Sequence, residues 1–268
     1  MVNSQFTSHQ SGVVVETRRG GKLERFDDKS EKIIAEEESP TQESEEERVK
    51  RIWRSADAVC FDVDSTVCPT EAIDELAAFC GKANIVAQVT SQAMGGALDF
   101  RDALRLRLNL IKPSLKDVND FMRLKPPALS PGVKELVQLL HSRKVAVYLV
   151  SGGFTSIIKL VATELGISHD RIFANKLMFY QDGTYAGFDE KCPTSAQGGK
   201  TRVVQELKDE YGYKTIVSVG DGWTDLETCP PADAFIGFGG CVVREKVRAE
   251  AGWFVHSFQE LIDEFQRK

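Results

Sequence analysis

After Ser55 the chain alternates between two patterns, and this alternation restricts its fold more than any other feature. Short apolar runs rich in β-branched and aromatic residues fall at Ala58–Phe61, Val145–Val150, Ile172–Ala174, Thr215–Val219, Ala234–Phe238 and Trp253–Val255. Helical patterns lie between most of them. A strand that is apolar at every position has to be covered on both faces. Strands alternating with helices achieve this in a parallel sheet. The helices also show their ends. "SPGVKELVQLLHSRK" offers Ser130 as N-cap, Pro131 at the first helical position, and Val133, Leu136, Val137 and Leu140 on one face. "FTSIIKLVATELG" carries Ile157, Ile158, Val161 and Leu165 and stops at Gly166; "TRVVQELKDEYG" stops at Gly212. Residues 242–251 and 257–266 read as two more helices.

Two segments interrupt the rhythm. The stretch between the first two strands is far longer than a crossover needs, and it is helical. Residues 71–80 set Ile73, Leu76, Ala77 and Cys80 on one face before Gly81; 84–93 and 97–111 follow, split by Gly95-Gly96. "SLKD" (114–117) opens a further helix that ends before Pro126-Pro127. The segment is an inserted helical subdomain. The second interruption, "NKLMFYQDGTYAGFDE" (175–190), reads as a β-hairpin turning at Asp182-Gly183.

Residues 1–50 belong to neither pattern. "AEEESPTQESEEER" (35–48) is acidic and polar and cannot bury enough apolar surface to offset its ordering entropy. A disordered acidic tail is expected there, ending in a short helix if Ser44 and Glu47 form a capping box for a helix running to about Trp53. The start of the chain has no apolar signal-like region and is too acidic for an organellar transit peptide, so a cytoplasmic location is expected. The net charge is −6. This disfavours general affinity for nucleic acid or an anionic membrane, and no apolar run is long enough to span a bilayer. The six cysteines show no C-x-x-C pair, so reduced thiols are expected and a zinc site is not.

In an open parallel sheet, ligands bind at the carboxyl ends of the strands. The first strand ends in Asp62-Val63-Asp64, the second in Ser151-Gly152-Gly153, and "TIVSVG" runs into "DGWTD" with Asp221 and Asp225; Lys200 opens the helix before that strand. Taken singly, each is unremarkable: an aspartate after a strand usually caps a helix, Ser151-Gly152-Gly153 reads as a tight strand-to-helix turn, and a lysine is usually solvated. Together, four carboxylates, a hydroxyl among glycines and a lysine can share one rim. Converging carboxylates repel unless a hard cation joins them, and Mg²⁺ suits oxygen ligands and leaves positions open for phosphate. Lys200 and the amides around Ser151–Gly153 can supply donors to a phosphate. An aspartate can then attack phosphorus while a second acid protonates the leaving oxygen, and Asp62 and Asp64 are spaced for that division.

The motifs "FDVDST", "SGG", "GGK" and "GDGWTD", in that order, resemble those of the haloacid dehalogenase-like phosphatases. With "AIDELAAFCG", "AMGGALDF", "FANKL" and "GGKTRVV", the similarity reaches the branch that hydrolyses O-phosphoserine and covers nearly all of 53–268. The resemblance implies a Rossmann-like α/β core (51–71 and 130–268) with a helical cap (72–129) and a hairpin flap. It implies Asp62 as nucleophile, Asp64 as general acid and then base, and Lys200 as a catalytic phosphate ligand. Mg²⁺ would be held by Asp62, Asp221 and the carbonyl of Asp64, with Asp225 in support. Ser151, Gly152, Gly153 and Thr224 would line the phosphate and substrate site. Glu71 and Arg107 would hold the ammonium and carboxylate of O-phospho-L-serine, and Met94 and Phe100 would form a lid. Last, it implies the closing step of serine biosynthesis, with oligomeric state open to a homodimer.

The residues add their own weight. Arg107 lies on the apolar stripe of its helix, with Phe100, Ala103, Leu104, Leu108 and Ile111. A charge there needs a partner, either a substrate carboxylate or a cap acid in a structural salt bridge. Glu71 alone reads as a first-turn acid favoured by the helix dipole, and Met94 and Phe100 alone read as cap core. Trp223 departs from the small residue expected between Gly222 and Thr224. "GGKT" (198–201) is no P-loop, because Thr194 stands where the first glycine belongs and no strand precedes it. Ser151 lacks a G-x-S-x-G elbow. A phosphorylatable receiver module would lack both the second acid, Asp64, and the insert.

Overall fold

The computed structural model describes residues 43–92 and 99–267. Met94 and most of the expected tail lie outside them. Ser44 caps α1 (Glu45–Arg54), accepting from the amide of Glu47 at 3.2 Å, with three glutamates in the first turn and Arg51 and Arg54 in the last. Trp53 is fully buried and its Nε1 donates to the carbonyl of Leu261 at 3.0 Å. Residues 45–50, grouped above with the tail, therefore belong to a helix packed on the core. Val49 and Trp53 bury enough apolar surface to hold it there.

The sheet has six strands in the order β3-β2-β1-β6-β7-β8, all parallel. In chain order they are β1 (Ala58–Phe61), β2 (Ala146–Phe154), β3 (Ile172–Asn175), β6 (Ile216–Gly220), β7 (Ala234–Phe238) and β8 (Trp253–Val255). β1, β6 and β7 are buried at every position, as their unbroken apolar runs demand. The covering helices are α6 (Val133–Ser142), α7 (Thr155–Leu165), α8 (Gly199–Tyr211) and α11 (Phe258–Gln266). Gly166 and Gly212 end α7 and α8 in the left-handed conformation, each at φ 69°.

Two local readings are revised. Ser130 does not cap α6. Its hydroxyl donates to the carbonyl of Thr66 at 2.7 Å, tying the chain's return from the insert to the loop after β1. Gly132, at φ 84°, makes the turn into the helix instead. Ser151-Gly152-Gly153 is not a simple strand-to-helix turn. β2 continues through it as far as Phe154, with a register shift against β3 between Val150 and Phe154. Such a bulge re-aims the backbone at the sheet's edge.

The insert is helical, with α2 (Ala72–Phe79), α3 (Ala83–Gln92), α4 (Phe100–Ile111) and α5 (Leu115–Leu124). Ser114 and Asp117 form a reciprocal capping box at the start of α5. Ile73, Leu76, Leu104, Leu108 and Phe121 build an apolar cluster that closes over Phe154 and Ile157 of the core and Phe188 of the hairpin. The hairpin, β4 (Leu177–Phe179) with β5 (Tyr185–Phe188), is antiparallel, and Gly183 at its tip adopts φ 83°. Its carbonyl accepts the amide of Leu115 at 2.9 Å, so flap and insert are joined. Among the described residues no helix is long and apolar enough to cross a membrane. All six cysteines are free thiols.

Candidate active site

The carboxyl ends of β1, β2 and β6 meet under the insert. Asp62 extends the β1–β6 ladder, its amide donating to Val219 at 2.9 Å. One carboxylate oxygen, Oδ1, accepts from the Val63 amide at 2.7 Å and lies 2.8 Å from Lys200 Nζ. The chain then reverses through Ser65, at φ 60°, with the Cys68 amide bonded back to the Val63 carbonyl at 2.8 Å. This tight turn directs the second acid, Asp64, toward the insert. Its Oδ1 accepts the amide of Ala72, the first residue of α2, at 2.7 Å, and its Oδ2 accepts the hydroxyl of Ser151 at 3.2 Å. A Cβ on Gly153 would fall 2.6 Å from that Oδ2, so glycine is required for β2 to pass this close.

Lys200 stands in the first turn of α8 and is buried between two acids, 2.8 Å from Asp62 and 2.7 Å from Asp225. Burial alone would push its pKa down, but the carboxylates of Asp225 and Asp62 outweigh that and hold it as ammonium. Asp225 also accepts the Gly222 amide at 3.1 Å. Asp221, just past β6, accepts Thr66 Oγ1 at 3.3 Å on one oxygen and Arg244 Nε at 2.7 Å on the other. Carboxylate oxygens of Asp62, Asp221 and Asp225 lie within 4.8 Å of one another. Burial first, then the charge of Asp62, pushes Asp221 and Asp225 above the usual carboxylate range. Asp64 rises to about 7 through burial, then the charges of Glu71 and Asp62. Even with Lys200 and Arg244 present, the cluster is short of positive charge.

These side chains border a cavity of about 390 Å³. Of the residues picked out from sequence, Asp62, Asp64, Glu71, Phe100, Arg107, Gly152, Gly153, Lys200, Asp221, Thr224 and Asp225 line it. Ser151 is fully buried behind the wall, linking Asp64 to the amide of Gly153. Phe100, the first residue of α4, lies across Gly152: a Cβ there would come within 2.9 Å of its ring. Glu71 occupies the N-cap position of α2 but makes no capping bond. Its carboxylate instead accepts from Ser65 Oγ at 2.9 Å and Arg244 Nη2 at 3.5 Å. Arg107 Nε is buried without a hydrogen-bond partner, and no ion pair reaches its guanidinium among the described residues.

Arg244 was not anticipated. It joins Asp221 on the core to Glu71 at the base of the insert, and it follows the carboxyl end of β7, where the rim rule would have directed attention. Trp223, noted above for its size, also lines the cavity.

The fold and site have known counterparts. Residues 56–233 match the family described as haloacid dehalogenase-like hydrolase. Phosphoserine phosphatase of Mus musculus is 52% identical over 218 residues, 81% of this chain and 97% of that one. Two solved structures cover 79% of this chain and 99% of theirs: a substrate-bound phosphoserine phosphatase complex (26% identical, TM-score 0.68) and a phospho-aspartyl intermediate analogue of phosphoserine phosphatase (27%, TM-score 0.67).

Proposed function

Because the chain belongs to the haloacid dehalogenase-like hydrolases, and within them to the phosphoserine phosphatase family, we infer that it hydrolyses O-phospho-L-serine to serine and phosphate through a phosphoaspartate at Asp62, with Mg²⁺ bound. One juxtaposition carries this reading. The cavity that holds Asp62, with one oxygen pinned by Lys200 and the Val63 amide, also holds the guanidinium of Arg107, which forms no ion pair among the described residues and whose Nε is buried without a hydrogen-bond partner.

The donor set suits a hard divalent cation. It is all oxygen, three carboxylates bring oxygens within 4.8 Å of one another, and the raised pKa values of Asp221 and Asp225 reflect a deficit of positive charge. The carboxylates of Asp62 and Asp221 and the carbonyl of Asp64 would hold Mg²⁺, which when bound offsets the negative charge of the phosphate and its acidic surroundings. Asp225 is engaged by Lys200 and Gly222 and serves to fix the lysine.

The remaining chemistry belongs to the chain. Lys200 and the amides near Gly152–Gly153 receive the phosphate. Arg107 takes the substrate carboxylate bidentately, and Glu71 takes the ammonium. Asp62 Oδ attacks phosphorus; the bond from phosphorus to the serine oxygen breaks, and protonated Asp64 gives that oxygen its proton. Asp64, now a carboxylate, takes a proton from water. The water oxygen attacks phosphorus, the phosphoaspartyl bond breaks, and Asp62 returns as a carboxylate. A pKa of about 7 suits a group that must give and then take a proton near neutrality. Phe100, laid over Gly152, limits water at the first step. In this reading the product is free serine, as in the closing step of the phosphorylated pathway of serine biosynthesis.

The test is phosphate release from a panel of small phosphomonoesters, with and without EDTA. O-phosphoserine should be preferred and EDTA should abolish turnover. Preference for an ester without ammonium and carboxylate would reject the substrate assignment.

A further inference from the structure

The family reading leaves Trp223 unexplained. The indole stands at the first position of α9 (Trp223–Leu226) and is held in two directions. Its Nε1 donates to Glu227 Oε1 at 2.7 Å, one turn further on, and Lys246 Nζ lies 3.4 Å from the ring centroid. The hydrogen bond acts in the ring plane and the ammonium acts on the face, so together they remove the indole's freedom to rotate. Lys246 is the second residue of α10 (Glu245–Glu250) and lies two residues after Arg244. The arm leading to it, residues 239–244, begins with two glycines, and its Val242 and Val243 are exposed. The arm is anchored at its start, where the Gly239 amide donates to Val255 at 2.8 Å and Cys241 packs on the core, and Val247 is buried beyond it. The two valines beside Arg244 add no burial, and the Trp223–Lys246 contact ties that end of the arm to the turn that carries Asp221.

We propose that Trp223 is a positioning residue: through Lys246 it fixes the arm bearing Arg244, and so keeps the guanidinium across Asp221 and Glu71. The proposal rests on the reading of Glu71 as the acid that meets the substrate ammonium. The Arg244–Glu71 contact, at 3.5 Å, is longer than the Arg244–Asp221 contact, at 2.7 Å, and a small drift of the arm breaks it first. Glu71 then keeps Ser65 as its remaining hydrogen-bond partner and loses its fixed orientation. The Asp62–Lys200–Asp225 assembly does not involve Arg244 and stays in place. Trp223 thus bears on the choice of substrate rather than on phosphoryl transfer itself.

The test uses the full chain and four variants: Trp223→Phe, Trp223→Leu, Lys246→Met and the Trp223→Leu/Lys246→Met pair. The first readout is kcat/KM for O-phosphoserine divided by kcat/KM for p-nitrophenyl phosphate, which has neither ammonium nor carboxylate. Trp223→Leu and Lys246→Met should each lower that ratio by about two- to fivefold, the factor expected of an exposed cation–π contact, through KM. The double variant should lose no more than either single one, because the partners act as a unit. Trp223→Phe, which keeps an aromatic face but loses the bond to Glu227, should fall between the wild type and Trp223→Leu. The second readout needs no substrate. The Nε–Hε NMR resonance of Arg244, assigned by its absence in Arg244→Lys, should move in Trp223→Leu and Lys246→Met and move less in Trp223→Phe. Equal effects of Phe and Leu, additive losses in the pair, parallel losses on both esters, or an unmoved resonance would overturn the proposal. If the wild type fails to hydrolyse phosphoserine, the substrate reading falls, and the resonance alone decides whether Trp223 positions Arg244.

Discussion

Replacing Arg107 by methionine should stabilise the protein and impair recognition of its substrate at the same time. Arg107 lies on the cavity side of α4, and its Nε is buried with no hydrogen bond. A buried donor left unpaired costs about 1–3 kcal/mol; the residue is half-buried, so the lower end, about 1 kcal/mol, applies. Methionine keeps much of the apolar stem, which lines the cavity with Leu104, and removes the charge. For a chain of this size about 1 kcal/mol corresponds to about 2–4 °C in Tm, so the ligand-free variant should melt higher by that amount. On substrate the sign reverses. Two charge-assisted hydrogen bonds to a carboxylate, discounted for the water they displace, are worth about 2–4 kcal/mol, so KM for phosphoserine should rise about 30- to 1,000-fold. KM for p-nitrophenyl phosphate should change little. Calorimetry without substrate and a phosphate-release assay on both esters are sufficient. A fall of several degrees in Tm, or equal losses on both esters, would make Arg107 a structural residue and refute this reasoning.

Lys200→Met removes the single positive partner that Asp62 and Asp225 share within 3 Å among the described residues, and breaking a buried ionic pair from one side costs about 3–5 kcal/mol; the metal-free variant should melt of order 10 °C lower by calorimetry and show no turnover. Asp64 has a folded-state pKa raised to about 7 from an ordinary carboxylate value. The folded protein therefore holds that proton where the unfolded chain has lost it, and the associated stability is present at low pH and lost as pH rises from about 4 through 7. Asp64→Asn, which cannot ionise, should then melt above the wild type at pH 8 in EDTA and match it near pH 4; a gap that is equal at both pH values would contradict the assignment of burial and neighbouring carboxylates as the cause. Gly220→Ala would set a Cβ 2.3 Å from Asp225 Cγ, and the displaced acid should release Lys200, lowering kcat at least tenfold with a smaller change in KM for p-nitrophenyl phosphate.

The strands were legible because their burial on two faces writes an unbroken apolar run into the sequence. β1, β7 and β8 begin and end where those runs do. Ser130 misled because two devices compete for one residue: a serine before proline looks like an N-cap, but its hydroxyl serves a carbonyl 64 residues earlier in the chain. Ser151–Gly153 misled because a bulge depends on the partner strand's register, which no local pattern encodes. In the site, the acids and Lys200 could be read because each ends a strand or opens a helix. Arg244 also follows the end of a strand, which marks its place, but its role lies in two carboxylates at positions 71 and 221 that only the folded chain brings within its reach. The Nε of Arg107 shows the reverse: a charge on an apolar helical stripe was already a conspicuous feature of the sequence, and among the described residues it finds no ion pair.

Hydrolysis through a phosphoaspartate requires above all that Asp62 become covalently phosphorylated. Rapid quenching of the enzyme with O-phosphoserine in Mg²⁺, followed by borohydride reduction and peptide mass spectrometry, tests this directly. Reduction of a phosphoaspartate leaves homoserine, which should appear at position 62 in the wild type and be absent from Asp62→Asn, whose turnover should also be lost. Homoserine at another position, or phosphate release by Asp62→Asn at a rate near the wild type, would contradict it.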